Sequence, residues 1–170
     1  MTAEELRAAQ APFKDRYRSD ASSALATLTA RGTLDVDQLQ CRVETLATNP
    51  VIAGMHPRAG GDGRGLCAGD MLLQALVACA GVTLTAVATA MNLGVTGGEL
   101  TAEGDMDFRG TLGVARDAPV GFTTIRLNAV VQSQADDAQL QKLAELTERY
   151  CVVAQSLKPP IMLRIRRSES

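Results

Sequence analysis

Two of the four cysteines in this sequence lie in apolar segments where a pair of thiols could do redox chemistry. Cys79 lies in MLLQALVACAGVTLTAVATAMNL and Cys151 in ERYCVVAQSL, while Cys41 and Cys67 lie outside these segments. The C-x-x-C spacing of zinc knuckles and thioredoxin-type sites does not occur. A thiolate can attack a peroxide and then form a disulfide with a second thiol. A buried cysteine can equally be a small apolar core residue, so the residues alone leave both interpretations open.

The uncharged run at residues 71–93 predicts the helix that carries Cys79. Asp70 is its predicted N-cap and Gly94 its predicted C′ residue. The run is long enough to cross a bilayer, but polar residues interrupt it and its flanks lack Lys, Arg and aromatic anchors. We therefore predict a buried helix in a soluble protein. One 170-residue chain can hardly cover such a helix, which indicates a second subunit.

A second helix is predicted to begin at Asp136 and Asp137 and to end before Lys158-Pro159-Pro160. Its inward stripe, at spacings of three and four, is Leu140, Leu143, Thr147, Tyr150, Cys151 and Ala154. Cys151 therefore faces inward. If this stripe packs against the small residues around Cys79, the two cysteines could come within disulfide reach, which requires Cα atoms roughly 4.4–6.8 Å apart.

Alternating segments predict strands elsewhere. ELTAEGDMDF (99–108) places Leu100, Ala102, Gly104, Met106 and Phe108 on one face; GFTTIRLNAVVQS (121–133) and IMLRIRR (161–167) also alternate. Residues 109–120 form the predicted connection between the first two of these strands. Residues 24–36 and 39–46 predict two or three further strands, with turns at Arg31-Gly32 and Asp37.

The remaining segments are predicted to be a short helix at 4–11, a polar connector at 12–23 and a glycine-rich surface loop at 56–70. That loop contains the single histidine, His56, and lacks the Gly-Lys-Ser/Thr ending of a phosphate loop. We interpret residues 1–170 as one domain, with residues 1–23 as an N-terminal extension.

The charge of the chain bears on its partners. The net charge is −2 without a basic block, so neither nucleic acid nor an anionic membrane is favoured as a partner. The charged first residues do not form a secretory signal, so the cytoplasm is the expected location, where thiols stay mostly reduced. Neither a metal nor a bound organic cofactor is indicated.

The segments GDMLLQALVACAGVTL, EGDMDFRGTLG, GFTTIRL and TERYCVVAQSL resemble the OsmC/Ohr family of osmotically inducible and organic hydroperoxide resistance proteins. The resemblance covers roughly residues 24–167. It implies an α+β OsmC-like fold, with two long central helices packed against β-sheets in an intertwined homodimer. It also implies that Cys79 is the peroxidatic cysteine and Cys151 the resolving one.

The resemblance further implies that an arginine activates the first thiol and is held by a glutamate at the start of the cysteine helix. At the glutamate position this sequence has Gly69, followed by Asp70, which could replace the glutamate or serve as the helix cap. Arg31 in TARGTL is the positional match for the arginine. Neither Cys41 nor Cys67 matches a family cysteine, and Cys67 could compete as a redox partner.

These observations together predict a cysteine-based peroxidase. Its substrate would be an organic hydroperoxide, and its reductant a small dithiol, often lipoyl-type in this family. The alternative is a non-catalytic ligand-binding or stress-related dimer that keeps the fold. The missing glutamate favours that alternative, and the retained cysteine pair favours the enzyme.

Replacing the predicted activating arginine, Arg31→Ala, should slow peroxide-dependent thiol loss by roughly tenfold or more, equivalent to about 1.4 kcal/mol. The reason is that an opposite charge beside a sulfur favours the thiolate. The melting temperature should change little. Stopped-flow thiol loss across pH is the measurement, and superimposable profiles for the two proteins would exclude Arg31 as the activator.

Overall fold

The computed structural model describes residues 1–45 and 49–168, which form an α+β fold. The helices are α1 (Ala3–Ser19), α2 (Ala68–Ala90), α3 (Phe108–Thr111), α4 (Asp137–Tyr150) and α5 (Val152–Ser156). The strands are β1 (Gly32–Asp35), β2 (Gln40–Val43), β3 (Val51–Gly54), β4 (Leu66–Cys67), β5 (Gly97–Met106), β6 (Phe122–Gln132) and β7 (Ile161–Arg167). Short 3-10 turns occupy Ala21–Ala24 and Pro57–Ala59.

The strands form two sheets. In the order β1-β2-β3-β4, the first two pairs are antiparallel and the β3–β4 pair is parallel. The other sheet has the order β5-β6-β7, with β6 and β7 parallel and Ile125 opposite Ile161. The chain divides into two compact units. Unit 1 contains Met1–Thr27, Leu76–Glu103 and Ile125–Ser170, and unit 2 contains Leu28–Ala75 and Gly104–Thr124.

The core of unit 1 joins α2, β6 and α4. It consists of Leu84, Ala88, Leu93, Ala129, Val131, Ala135, Leu140 and Leu143. The predicted alternation of β6 is confirmed, because its odd-numbered residues from Ile125 to Val131 are all buried. Helix α4 begins as predicted: Asp136 is the N-cap and forms a capping box with Gln139.

The predicted central helix is present as α2, but its ends differ from the prediction. The helix begins at Ala68, so Asp70 lies in the first turn and is not the N-cap. At the other end Asn92, not Gly94, is the C′ residue. Asn92 has φ 53° and its N–H donates to the Thr89 carbonyl, while the Leu93 N–H donates to the Ala88 carbonyl. These two bonds are the Schellman pattern, which satisfies the last helical carbonyls.

Helix α2 is the one helix in the described ranges that is long and apolar enough to cross a membrane, a property that buried core helices share. Only one of its faces is buried within the chain, at Leu76, Ala80, Leu84 and Ala88. The face containing Ala78, Val82 and Thr85 is exposed. This face of the helix is therefore uncovered in the single chain.

The N-terminal segment is more helical than predicted. Helix α1 extends to Ser19, so the predicted polar connector at 12–23 is wrong over most of its length. A capping box between Thr2 and Glu5 starts the helix, and an Asp15–Arg18 ion pair lies near its end. Pro12, the first residue of the predicted connector, lies inside the helix.

The strands before residue 56 are shorter than predicted and differently placed. Within the segment predicted at 24–36 only β1 forms. Gly32 is the first residue of that strand and is not part of the predicted turn at Arg31-Gly32. The predicted turn at Asp37 is confirmed between β1 and β2, and the final residue of the 39–46 prediction lies outside the described residues. Strand β3 was not predicted, and β4 forms inside the segment predicted to be a loop.

The other alternating segments are confirmed with one change. Strand β5 ends at Met106, so Phe108 belongs to α3 rather than to the predicted strand face. Gly104 keeps its predicted place on the half-buried face because the Phe122 ring packs against it, 2.5 Å from where a Cβ would lie. Strand β7 matches its prediction at 161–167.

Candidate active site

The chain leaves the helical path at Cys151, between α4 and α5. This residue is extended, with φ −76° and ψ 107°. Its N–H donates to the Thr147 carbonyl at 2.9 Å, and its sulfur accepts the Ala154 N–H at 3.5 Å. Cys151 is thus both the C-cap of α4 and the N-cap of α5. The predicted continuous helix through Cys151 is therefore wrong.

The predicted inward stripe is otherwise correct. Leu140, Leu143, Thr147, Cys151 and Ala154 are buried. Tyr150 is the exception, because 59% of its surface is exposed and the Arg149 guanidinium lies over its ring. The inward stripe therefore places the Cys151 thiol, but not the tyrosine beside it, in the interior of unit 1.

The structure brings Cys79 and Cys151 together. Cys79 is half-buried on α2, close enough to the N–H groups of Val153 and Val152 and to the Cys151 thiol for these groups to shift its pKa. Both sulfurs are present as free thiols. The break at Cys151 thus directs the first amides of α5, together with the second thiol, at the first thiol.

These neighbours determine which sulfur holds the proton. Burial raises the pKa of Cys79, but the Val153 N–H, the Cys151 thiol and the Val152 N–H together lower that pKa below its ordinary value. Thr83 contributes least, because its hydroxyl hydrogen already donates to the Cys79 carbonyl at 2.8 Å.

The pKa of Cys151 moves in the opposite direction. Burial raises it, and the Cys79 sulfur raises it further, both as a hydrogen-bond acceptor and as a negative charge; the Ala154 N–H opposes this rise. The two effects are one coupled titration, in which Cys79 loses its proton first and Cys151 keeps its own. Cys79 is therefore the more readily deprotonated thiol of the pair.

Sequence reasoning missed the groups that lower the pKa of Cys79. Cys79 is deep within α2, as expected, so the N-terminus of α2 is too distant to act on it. The amides that act belong to the short helix that follows Cys151. Because every residue except proline has an N–H, no residue type marks these donors in the sequence.

The other predicted site residues belong to unit 2. Asp70 and Cys67 line one open cavity of about 400 Å³, together with His56, Arg58 and Phe108. His56 caps the Pro57–Ala59 turn, because its Nδ1 accepts the Arg58 N–H at 3.0 Å, and its ring contacts Phe108 with 4.8 Å between centroids. The structure therefore places His56 in a local structural role.

Arg31 immediately precedes β1 in unit 2, and its side chain is exposed. Its carbonyl accepts the Glu44 N–H at 3.0 Å. Cys41 is half-buried in β2 opposite Leu34. The amides and thiol that lower the pKa of Cys79 lie within unit 1.

Comparison with known proteins identifies the family. The model of the OsmC-like protein family matches residues 61–166, a segment that includes Cys67, Asp70, Cys79 and Cys151 but not Arg31. The chain belongs to the OsmC-like family. A search of curated proteins gave no match.

Solved structures share the fold at low sequence identity. An OsmC-like protein from Mycoplasma pneumoniae has a TM-score of 0.70 at 14% identity, covering 85% of this chain and 99% of its own. An OsmC-like protein of Vibrio cholerae has a TM-score of 0.67 at 15% identity, with 83% and 99% covered. The organic hydroperoxide resistance protein OhrB of Bacillus subtilis has a TM-score of 0.57 at 17% identity, with 84% and 100% covered. The α+β OsmC-like fold is thus confirmed.

Removing the thiol donor should raise the pKa of Cys79. In a Cys41→Ser/Cys67→Ser background, Cys151→Ala should slow alkylation of Cys79 at pH 7 by roughly threefold or more, because less thiolate is present. Since the wild-type pKa is lowered, its rate–pH curve should rise at lower pH than that of an ordinary thiol, and Cys151→Ala should move the curve to higher pH.

Cys151→Ser is the matched control, because its hydroxyl can still donate to the Cys79 sulfur. It should fall between the wild type and Cys151→Ala. Iodoacetamide labelling quantified by mass spectrometry gives the rates. Equal rates for the alanine variant and the wild type would exclude the Cys151 thiol as a donor to Cys79.

Proposed function

We propose that this protein is a thiol peroxidase that reduces organic hydroperoxides through Cys79 and Cys151. The observation that carries the proposal is the pairing of a thiol of lowered pKa, Cys79, with a protonated, fully buried second thiol, Cys151. The thiolate is the nucleophile in cysteine chemistry, and the neighbouring thiol is what ends the reaction in a disulfide. Membership of the OsmC-like family, which is associated with peroxide stress, supports the same chemistry.

The first step is attack of the Cys79 thiolate on the outer oxygen of the hydroperoxide. An S–O bond forms, the O–O bond breaks, and the leaving alkoxide takes a proton to become the alcohol. The sulfur is oxidised by two electrons to sulfenic acid, and the peroxide is reduced by two. The amides of Val152 and Val153 hold the thiolate ready for this step.

The second step closes the disulfide. Cys151 loses its proton and attacks the Cys79 sulfur; the S–S bond forms, the S–O bond breaks, and the departing hydroxide takes the proton to become water. The position of Cys151 against the first sulfur supports this step, because little rearrangement is required. A small dithiol, of the lipoyl type expected from the family, would then reduce the disulfide in the cytoplasm.

The apolar setting supports an organic substrate. Cys79 is half-buried beside the fully buried Cys151, and α2 carries no charged residue beyond Asp70 in its first turn. Desolvation in such a site disfavours a charged substrate and is compatible with the alkyl or aryl group of a hydroperoxide. Following the family resemblance, we assign Arg31 as the residue that activates the Cys79 thiol. We assign Asp70 as the replacement for the glutamate that holds this arginine.

A non-catalytic ligand-binding role is the second candidate. The observation that favours it is the open cavity of unit 2, in which Asp70 follows Gly69 at the position where the family resemblance calls for a glutamate. A protein with that role would bind a small molecule without consuming peroxide. Titration with a hydroperoxide separates the two candidates, because only the enzyme loses thiols.

One equivalent of cumene hydroperoxide should remove two thiols per chain and link Cys79 to Cys151. Cys79→Ser should abolish the reaction, whereas Cys151→Ser should stop at a sulfenic acid that dimedone traps. Cys67→Ser is the matched control and should react like the wild type.

The mapping of this disulfide needs cleavage before Asp70. The tryptic fragment of residues 65–109 carries both Cys67 and Cys79, so trypsin alone cannot tell a Cys79–Cys151 link from a Cys67–Cys151 link. Trypsin combined with an Asp-directed protease separates them. A Cys67–Cys79 link would identify Cys67 as the resolving residue, and absence of thiol loss would refute peroxidase activity.

We also propose that the functional form is an intertwined homodimer in which a second copy covers the exposed face of α2. Val82 is 74% exposed, with Ala78 and Thr85 exposed one turn on either side of it. An uncharged helix face of this kind is unfavourable in water and typical of a subunit interface.

Val82→Lys should therefore convert the dimer to a monomer, because an unpaired charge would be buried in the interface. Val114→Lys is the matched control, since Val114 is 73% exposed in a loop of unit 2. Sedimentation at micromolar concentration should give about twice the 17.9 kDa chain mass for wild type and control. A monomeric wild type would refute the dimer.

A further inference from the structure

Thr147 is a buried polar residue whose hydroxyl is unsatisfied. The side chain is 0% exposed, and its Oγ1 has no hydrogen-bond partner within the described part of the chain. An unpaired buried hydroxyl lowers stability, so native proteins seldom keep one without a reason.

Other helical threonines in this protein satisfy their hydroxyls locally. In α2, Thr83, Thr85 and Thr89 each donate to the carbonyl four residues earlier at 2.8 Å. This is the usual bond of a threonine within a helix. The same bond is not made by Thr147 in α4, so its hydroxyl remains available for another acceptor.

Cys151 follows Thr147 by one helical turn on the same buried face. The Cys151 N–H donates to the Thr147 carbonyl at 2.9 Å, which closes one helical turn and makes the two side chains neighbours. Side chains at this spacing have Cβ atoms roughly 5–6 Å apart, so a rotation of either one can bring the hydroxyl and the sulfur into contact. Both side chains are fully buried, so water cannot readily take the place of either.

In the second step of the proposed reaction, the Cys151 sulfur requires a hydrogen-bond donor. Cys151 must lose its proton before it attacks the oxidised Cys79, and a buried sulfur becomes negative at that moment. In the reduced state this sulfur accepts the Ala154 N–H at 3.5 Å, and the negative charge formed during the step calls for further donors. Thiolates in apolar surroundings are unfavourable unless hydrogen-bond donors compensate for the lost water.

We propose that the Thr147 hydroxyl donates a hydrogen bond to the Cys151 sulfur as that sulfur becomes the attacking thiolate. This role rests on the proposed function, because it concerns the second step of that reaction. The S–S bond forms, the Cys79 S–O bond breaks, and the proton released by Cys151 goes to the departing hydroxide to form water. Thr147 keeps its own proton and stabilises the charge of the nucleophile.

Thr147→Val tests the role, because valine keeps the shape of threonine and removes only the hydroxyl. With cumene hydroperoxide, the rate of sulfenic acid formation should stay within about twofold of wild type, while disulfide closure slows by roughly tenfold, or about 1.4 kcal/mol. The melting temperature should rise by about 2 °C or more, because an unsatisfied hydroxyl is gone. Thr147→Ser keeps a hydroxyl and should restore closure to within about threefold.

Rapid quenching with dimedone and with acid measures the two steps separately. Unchanged closure in Thr147→Val would overturn the proposal, as would equal slowing in the serine and valine variants, which would indicate packing. Higher stability combined with slower closure is the result that a purely structural threonine would not produce.

A second oxidant separates this proposal from the proposed function. The Cys79 thiolate adds to the N=N bond of diamide and forms an S–N bond. Cys151 then attacks the same sulfur: the S–S bond forms, the S–N bond breaks, and diamide leaves as the two-electron-reduced hydrazine with both thiol protons, so closure occurs without a peroxide. If the wild type does not react with cumene hydroperoxide, the peroxidase assignment fails, and the diamide comparison of the same three proteins still decides the role of Thr147. Equal closure rates there would overturn it.

Discussion

The hydrogen bonding between the Cys79 sulfur and the segment that begins at Cys151 is the interaction on which the site depends. A half-buried thiol in apolar surroundings would ordinarily keep its proton. Here the chain leaves the helical path at Cys151, and two main-chain amides and a second thiol are thereby directed at the first sulfur. One break in the helix thus provides both the groups that lower the pKa of Cys79 and a second thiol beside it.

Helix α2 contributes both to the core of unit 1 and to the candidate site. It supplies Leu84 and Ala88 to the core shared with β6 and α4, and it carries Cys79 beside that core. A helix with so few polar groups does not orient a thiol through its own side chains. The orientation comes from the opposing chain segment, and the rigid core keeps α2 in register with that segment. The uncovered face containing Val82 is consistent with a further layer of packing in the assembly.

The unsatisfied hydroxyl of Thr147 belongs to the same arrangement. The helical turn closed between Thr147 and Cys151 places a polar group beside a sulfur in a fully buried setting. Buried polar groups without partners cost stability, and proteins keep them most often where chemistry requires them. In the proposed mechanism, the Thr147 hydroxyl thus lowers the stability of the reduced protein and favours the reaction of the Cys151 thiol.

The sequence by itself determined the elements with strong periodicity, and it singled out Cys79 and Cys151 as the two cysteines in apolar helical segments. The alternation of β6, the stripe of α4 and the apolar run of α2 each correspond to an observed element, because burial of one face imposes its period on the residues. Strands β1 and β2 are shorter than the predicted segments and β3 and β4 were missed, since strands of two to four residues with no fully buried side chain carry little hydrophobic pattern. Only the tertiary structure decided how Cys79 is activated: the amides of Val152 and Val153 are main-chain groups that any residue but proline supplies. Their effect depends on where the chain bends at Cys151, which is a property of packing that no residue type records.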